Sequence, residues 1–156
     1  MKVRTILGSL VVFCAAVAIS FAADANPNMG TWKLNEAKSK FAPGAQKNHT
    51  VVYASSGQGW VVLVYGVDKD GKPEHNVWMG NFDGVDYAVT GDPNYDMRSY
   101  SVIDPNTMDM TIKKGGKVVG TGKISVSKDG KSRTVTTKGV NAGDSAFNNF
   151  AVYDKQ

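Results

Sequence analysis

Gly30-Thr31-Trp32-Lys33-Leu34 is the stretch on which the fold turns: a glycine, a large aromatic and a β-rich continuation, set just behind an apolar leader and ahead of a long series of short strands. From Gly30 onward, β-branched and aromatic runs alternate with turn residues at the spacing of an antiparallel meander. The strands read as Gly30 to Leu34, His49 to Ala54, Trp60 to Val67, His75 to Phe82, Asp86 to Thr90, Met97 to Ile103, Met108 to Lys113, Lys117 to Ser127, Arg133 to Val140 and Phe147 to Tyr153. Between them, Asp70-Gly71, Asp83-Gly84, Gly115-Gly116 and Asp129-Gly130 tolerate the positive φ of tight hairpins. Asp92-Pro93-Asn94 and Asp104-Pro105-Asn106 add turns in which proline fixes φ. Asn35 to Gln46 is a connector broken by Pro43-Gly44, with room for one helical turn between Asn35 and Lys40.

Strand patterning fixes an inside and an outside. Met108, Met110 and Ile112 share one face of their strand, while Thr107, Asp109, Thr111 and Lys113 share the other, so one face meets a core and one meets water. Trp60-Val61-Val62-Leu63-Val64-Tyr65 is apolar on both faces, which marks a strand covered outside as well as inside, or a patch used for contact; the covered strand is the reading carried forward. A small domain of this kind has to hide its edge strands, and closure does so. The fold class is therefore all-β: a single antiparallel up-and-down barrel of about eight to ten strands.

The leader has the three parts of an export signal: Lys2 and Arg4, an apolar stretch from Ile6 to Ile19, and small residues from Ser20 to Ala25. Cleavage after Ala22 or Ala25 divides the chain into a signal peptide, residues 1–25, and a barrel domain, residues 26–156, exported to the periplasm or the extracellular space. The apolar stretch of about 14 residues is short of the roughly 20 a spanning helix needs, so no stable membrane anchor is expected. Phe13 stands where a lipid-modified leader needs a small residue, which argues against anchoring through Cys14. That is the chain's one cysteine. It leaves with the leader, so stability rests on the core without disulfides. The net charge of +4 falls to +2 without Lys2 and Arg4, or to +3 if Asp24 is lost as well. The basic run Lys113-Lys114-Gly115-Gly116-Lys117 is broken by glycines and has no interleaved aromatics, so no nucleic-acid partner is expected.

Gly30-x-Trp32 at the head of a β-meander resembles the lipocalin and fatty-acid-binding proteins, the calycin superfamily of small barrels. The resemblance implies a tryptophan that closes the barrel floor, and it extends to the carboxyl end, where Tyr153-Asp154-Lys155 is similar to the closing Tyr-Glu-Lys of the fatty-acid-binding branch. The chain as a whole is similar to small secreted bacterial lipocalin-like proteins that begin Gly-Thr-Trp-Lys-Leu-Asn. It departs from the fatty-acid binders twice. Asn35 to Lys47 is too short and too broken for their helix-turn-helix lid, which leaves the mouth open or covered by a loop. Ala151 stands where they carry a carboxylate-clamping arginine, and this points to a neutral or weakly polar apolar ligand. Arg98 and Arg133 are the arginines left after the leader. Either one would replace the clamp if it faced inward, and strand parity leaves both orientations open.

No catalytic or metal constellation stands out. His49 and His75 form no spaced pair, and no metal or other cofactor is expected. Asp68-x-Asp70-Gly71 opens like a calcium loop but lacks the later bidentate glutamate, so it reads as a hairpin turn. No serine lies in a Gly-x-Ser-x-Gly elbow, which leaves an enzyme open without recommending one. A pocket for a small apolar molecule is lined by aromatic and sulfur-bearing side chains with a few polar groups to orient the ligand. The candidates are Trp60, Trp78, Tyr100, Met108 and Met110, with Tyr65 in the same inventory. If strand pairing follows the family, Phe147, Asn149, Ala151 and Tyr153 face inward, which makes Asn149 and Tyr153 the polar handles. The function expected is an exported barrel that binds a small apolar or amphipathic molecule. The alternatives are a secreted contact or inhibitor module without a cavity, working through a protein partner, and a barrel enzyme acting on a hydrophobic substrate.

Overall fold

Positive backbone φ falls where the turn dipeptides demand it: 79° at Gly71, 81° at Gly84, 54° and 77° at Gly115 and Gly116, and 68° at Gly130. Side chains reinforce these corners. The Asp92 and Asp104 carboxylates accept from the backbone N–H of Asn94 (2.9 Å) and Asn106 (2.8 Å), and Asp68 accepts from Asp70 and Lys72. Asp68-x-Asp70-Gly71 is thus a hairpin turn.

The computed structural model describes residues 26–140 and 146–156. The signal peptide read in residues 1–25, its cleavage sites and Cys14 lie outside the described residues. Ten strands follow one another: β1 (Gly30–Leu34), β2 (Lys47–Ser56), β3 (Gly59–Val67), β4 (Pro73–Gly80), β5 (Tyr87–Thr90), β6 (Met97–Asp104), β7 (Thr107–Lys114), β8 (Lys117–Val126), β9 (Ser132–Val140) and β10 (Ala146–Lys155). Each pairs antiparallel with the next, and β1 pairs with both β2 and β10 to close the barrel. Closure leaves no free edge, which is how a domain of this size avoids edge-to-edge association.

Register sets the interior. Trp32 lies opposite Val51, Tyr53 opposite Val62, Val62 opposite Trp78, Tyr100 opposite Met110, Met108 opposite Ile124 and Arg133 opposite Tyr153. All of these side chains are buried, and the apolar ones form one core cluster. The lower end of the barrel carries residues 26–29 and the turns after β2, β4, β6 and β8. The upper end carries the connector after β1 and the turns after β3, β5 and β7.

Gly139 and Gly80 are among the glycines fixed by close approach. A Cβ on Gly139 would run into the carbonyl oxygen of Val119, and one on Gly80 would run into the Tyr87 ring. The first lets β8 and β9 bend tightly where Gly120 faces Gly139, and the second lets an aromatic side chain lie directly on the wall.

Candidate functional site

Aromatic residues fill the lower half on the β2 to β6 side. Phe82, just beyond β4, stacks on Trp60 (5.4 Å between centroids, 8° between planes) and on Trp78 (5.8 Å, 1°). Tyr100 meets Trp78 edge-on at 4.8 Å, and the Trp78 indole N–H donates to the Arg98 carbonyl at 2.8 Å. Such edge and offset contacts add about 0.5–1.5 kcal/mol per pair beyond burial. Trp78, Tyr100, Met108, Met110 and Tyr153, expected to line a pocket, are buried in this packed core. Trp60 is half-buried against it.

The floor is built around Trp32, which is fully buried and donates its indole N–H to the Asn28 carbonyl at 2.7 Å. The Arg133 guanidinium carbon lies 5.0 Å from the Trp32 ring, 4.9 Å from Tyr53 and 4.8 Å from Tyr153. A desolvated cation over aromatic faces gains about 2 kcal/mol or more. That offsets part of the several kcal/mol that an unpaired buried charge costs. Burial pushes the Tyr153 phenol up to about 12, against the opposing pull of Arg133. Arg133 is thereby a component of the floor.

Arg98 also points inward, and its setting is different. Its Nη2 donates to the Tyr95 hydroxyl (2.7 Å) and to Asn76 Oδ1 (3.1 Å), and its Nη1 donates to the Tyr100 hydroxyl (3.1 Å). Among the described residues its Nε, like Nε and Nη1 of Arg133, is buried without a partner. Burial opposes the charge, but the tyrosine oxygens of Tyr100 and Tyr95 more than restore it, so Arg98 stays protonated. Among the described residues neither Arg98 nor Arg133 forms an ion pair. A negative charge is linked to Arg98 by relay, since Asn76 Nδ2 donates to Asp92 Oδ2 at 3.1 Å. Desolvation first, and then Asp92 and Asp68, raise the pKa of Glu74, whose position one row above Asn76 faces inward near the mouth.

Toward the upper end the interior loosens. Leu34, Ile112, Val135, Thr137, Phe147 and Asn149 occupy inward positions by register, yet they are half-buried where their counterparts below are buried. The connector after β1 forms a single 3-10 turn, Glu36–Lys38, and is then stitched along β10. Lys40 and Phe150 exchange backbone hydrogen bonds at 2.7 and 2.8 Å, and Phe41 packs against the core. A loop therefore flanks the mouth where the fatty-acid binders carry two helices. Asn149 faces inward as expected, but its Oδ1 accepts from the Ala42 N–H at 2.8 Å. Tyr153 donates its hydroxyl to the Asn48 carbonyl at 3.0 Å. Both polar handles are engaged in holding backbone, Asn149 that of the connector and Tyr153 that of the start of β2.

Two clefts lie away from the barrel axis. One, about 340 Å³, runs over the β7 to β10 wall among Asp109, Thr121, Lys123, Thr136, Lys138 and Asn148. The other, about 360 Å³, lies under the lower end beside residues 26–28 and the Asp104-Pro105 turn. The covered strand is corrected: Tyr65 on β3 is 48% exposed and stacks on His75, and Met79 on β4 is 57% exposed. The outer face of β3 and β4 is open because the pleat sends Val61, Leu63 and Tyr65 outward, away from Val62 and Val64. Sequence reasoning missed Asn76, Tyr95 and Phe82. Asn76 and Phe82 were within reach, since both share the parity of Trp78 in the strand read from His75 to Phe82, although β4 itself ends at Gly80; Tyr95 lies outside the strands, where no periodicity applies.

Comparison with models of known protein families and with curated proteins gave no match. The closed ten-stranded antiparallel barrel is consistent with the calycin type of fold.

Proposed function

We propose that this barrel is an exported, lipocalin-like carrier of a small amphipathic molecule with an anionic head. The head lies at Arg98, and the apolar body lies in the upper interior among Leu34, Phe41, Ile112, Val135 and Phe147. The observation that carries this reading is the place of Arg98: a buried guanidinium that has, among the described residues, no carboxylate against it and an N–H without a partner, and that lies below the loosened end of the barrel and not, like Arg133, in its floor. An unpaired cation in such a setting favours an anion over a neutral ligand of the same shape, because the charge-assisted hydrogen bond forms in a low dielectric. The inward orientation of Arg98 removes the ground for a neutral ligand that Ala151 supplied. Asn76, Tyr95 and Tyr100 hold the guanidinium in position, so the ligand does not have to order it.

The test is competition against an environment-sensitive dye. A medium-chain fatty acid displaces the dye more tightly than the matching alcohol, and Arg98→Met loses at least about tenfold of that preference, equivalent to about 1.4 kcal/mol. Equal displacement by acid and alcohol from the unaltered protein defeats the anionic-head reading. The open outer face bearing Tyr65 and Met79 supports the contact-module reading instead. If none of these compounds displaces the dye, that reading gains.

A further inference from the structure

We infer that the outer face of β2 to β5 is an interface for a second copy of this chain, through which the barrel pairs weakly and reversibly. The pleat sends every second residue of these strands outward, and the register aligns those residues in rows. Leu63 lies opposite Val52 on one side and Val77 on the other, with Thr90 beyond. Below that row Val61 lies between Ala54 and Met79, and above it Tyr65 lies between Thr50 and His75. Tyr65, His75 and Met79 are exposed, and the aliphatic residues between them are half-buried.

The absence of charge sets this face apart. None of these positions carries Asp, Glu, Lys or Arg, although such residues make up 21% of the chain. The opposite wall is different: Asp109, Lys123 and Lys138 point outward there, and Lys123 pairs with Asp109 at 2.6 Å. A contiguous apolar patch rimmed by polar residues marks a contact surface. Charge also identifies what covers it. A charged partner would lose its hydration against this face without gaining an ion pair, so the matching surface must itself be apolar and uncharged. The face meets that requirement for its own copy, and a two-fold arrangement sets the same patch against itself. Each copy carries a net positive charge, and this wall is where two copies touch without setting like charges in contact.

Size sets the strength of the pairing. Four strands about 4.8 Å apart and three rows about 6.8 Å apart cover roughly 400 Å² on each copy. About 800 Å² for the pair falls short of the roughly 1,200–2,000 Å² of a stable interface, and the convex wall of a barrel allows little more. The pair is therefore transient, with a dissociation constant on the order of 100 μM. Pairing through the side wall leaves the upper end of the barrel free.

Sedimentation velocity of the whole protein from about 10 μM to about 1 mM tests this, a range that brackets the expected constant. The sedimentation coefficient should rise with concentration from the monomer value toward that of a dimer. Leu63→Lys and Leu63→Glu each place a charge in the middle of the face, and each alone should associate at least about tenfold more weakly. Mixed one to one, the two variants should associate again, because unlike charges then meet across the contact, and that recovery shows that both have kept their fold. Thr136→Lys, on the opposite wall, should pair like the unaltered protein. A protein that stays monomeric throughout would overturn the inference, and if it then co-sediments with phosphatidylcholine vesicles, a lipid surface is the occupant instead. Association that Leu63→Lys leaves unchanged, or a mixture of the two variants that does not recover it, would also overturn the inference.

Discussion

Trp32 and the two buried arginines show what a single residue decides in this barrel. Trp32 was legible because Gly30-x-Trp32 resembles the opening of calycin barrels, and that resemblance implies a tryptophan at the floor. Trp32→Ala should destabilise the protein by about 3–5 kcal/mol, the usual cost of emptying a buried aromatic site. Urea midpoints of the two proteins measure this, and an unchanged midpoint would remove Trp32 from the core. Arg98 and Arg133 were legible only as candidates. On a strand a shift of one residue exchanges inside for outside, and Arg98 stands between Met97 and Ser99, neither of which marks a face. Asn149 and Tyr153 show the opposite limit. Their inward parity was readable, but their partners are the Ala42 N–H and the Asn48 carbonyl, backbone groups that no side-chain pattern records.

Strands and turns were the most readable level. Each of the ten strands was visible in the alternation of β-rich runs with Asp-Gly, Gly-Gly and Asp-Pro-Asn, because those dipeptides encode backbone geometry locally. The wall glycines were not readable, since a glycine inside a strand looks only like a weak strand. Gly116 and Gly139 separate the two cases. Gly116 has φ of 77° with open space around its missing Cβ, so Gly116→Ala should cost about 1–2 kcal/mol of left-handed strain and nothing more. Gly139→Ala drives a methyl into the Val119 carbonyl and should cost about 1–3 kcal/mol, with local opening of the β8 and β9 pairing. Amide hydrogen exchange distinguishes them: faster exchange along β8 and β9 is expected for Gly139→Ala, and exchange unchanged there would mean that the two strands do not depend on this close approach.

At the scale of the whole molecule, closure could be argued from the need to hide edges, but the contents of the barrel could not. Which half is filled depends on how Phe82 and Tyr100 pack on Trp78 across β4 and β6, and on how incompletely the Leu34, Ile112 and Phe147 positions are covered at the other end. These are distances through space between residues far apart in the chain. The resulting molecule is filled below and looser above, with a cation between the two regions. The most direct measurement on that arrangement is the titration of a bound fatty acid labelled with carbon-13 at its carboxyl group. A carboxylate beside Arg98 is stabilised in its charged form, whereas one in an apolar barrel without a cation is destabilised. The bound carboxyl should therefore titrate below the free acid, and Arg98→Met should move its midpoint above the free value. A bound carboxyl that titrates at or above the free acid in the unaltered protein would contradict an anion held at Arg98.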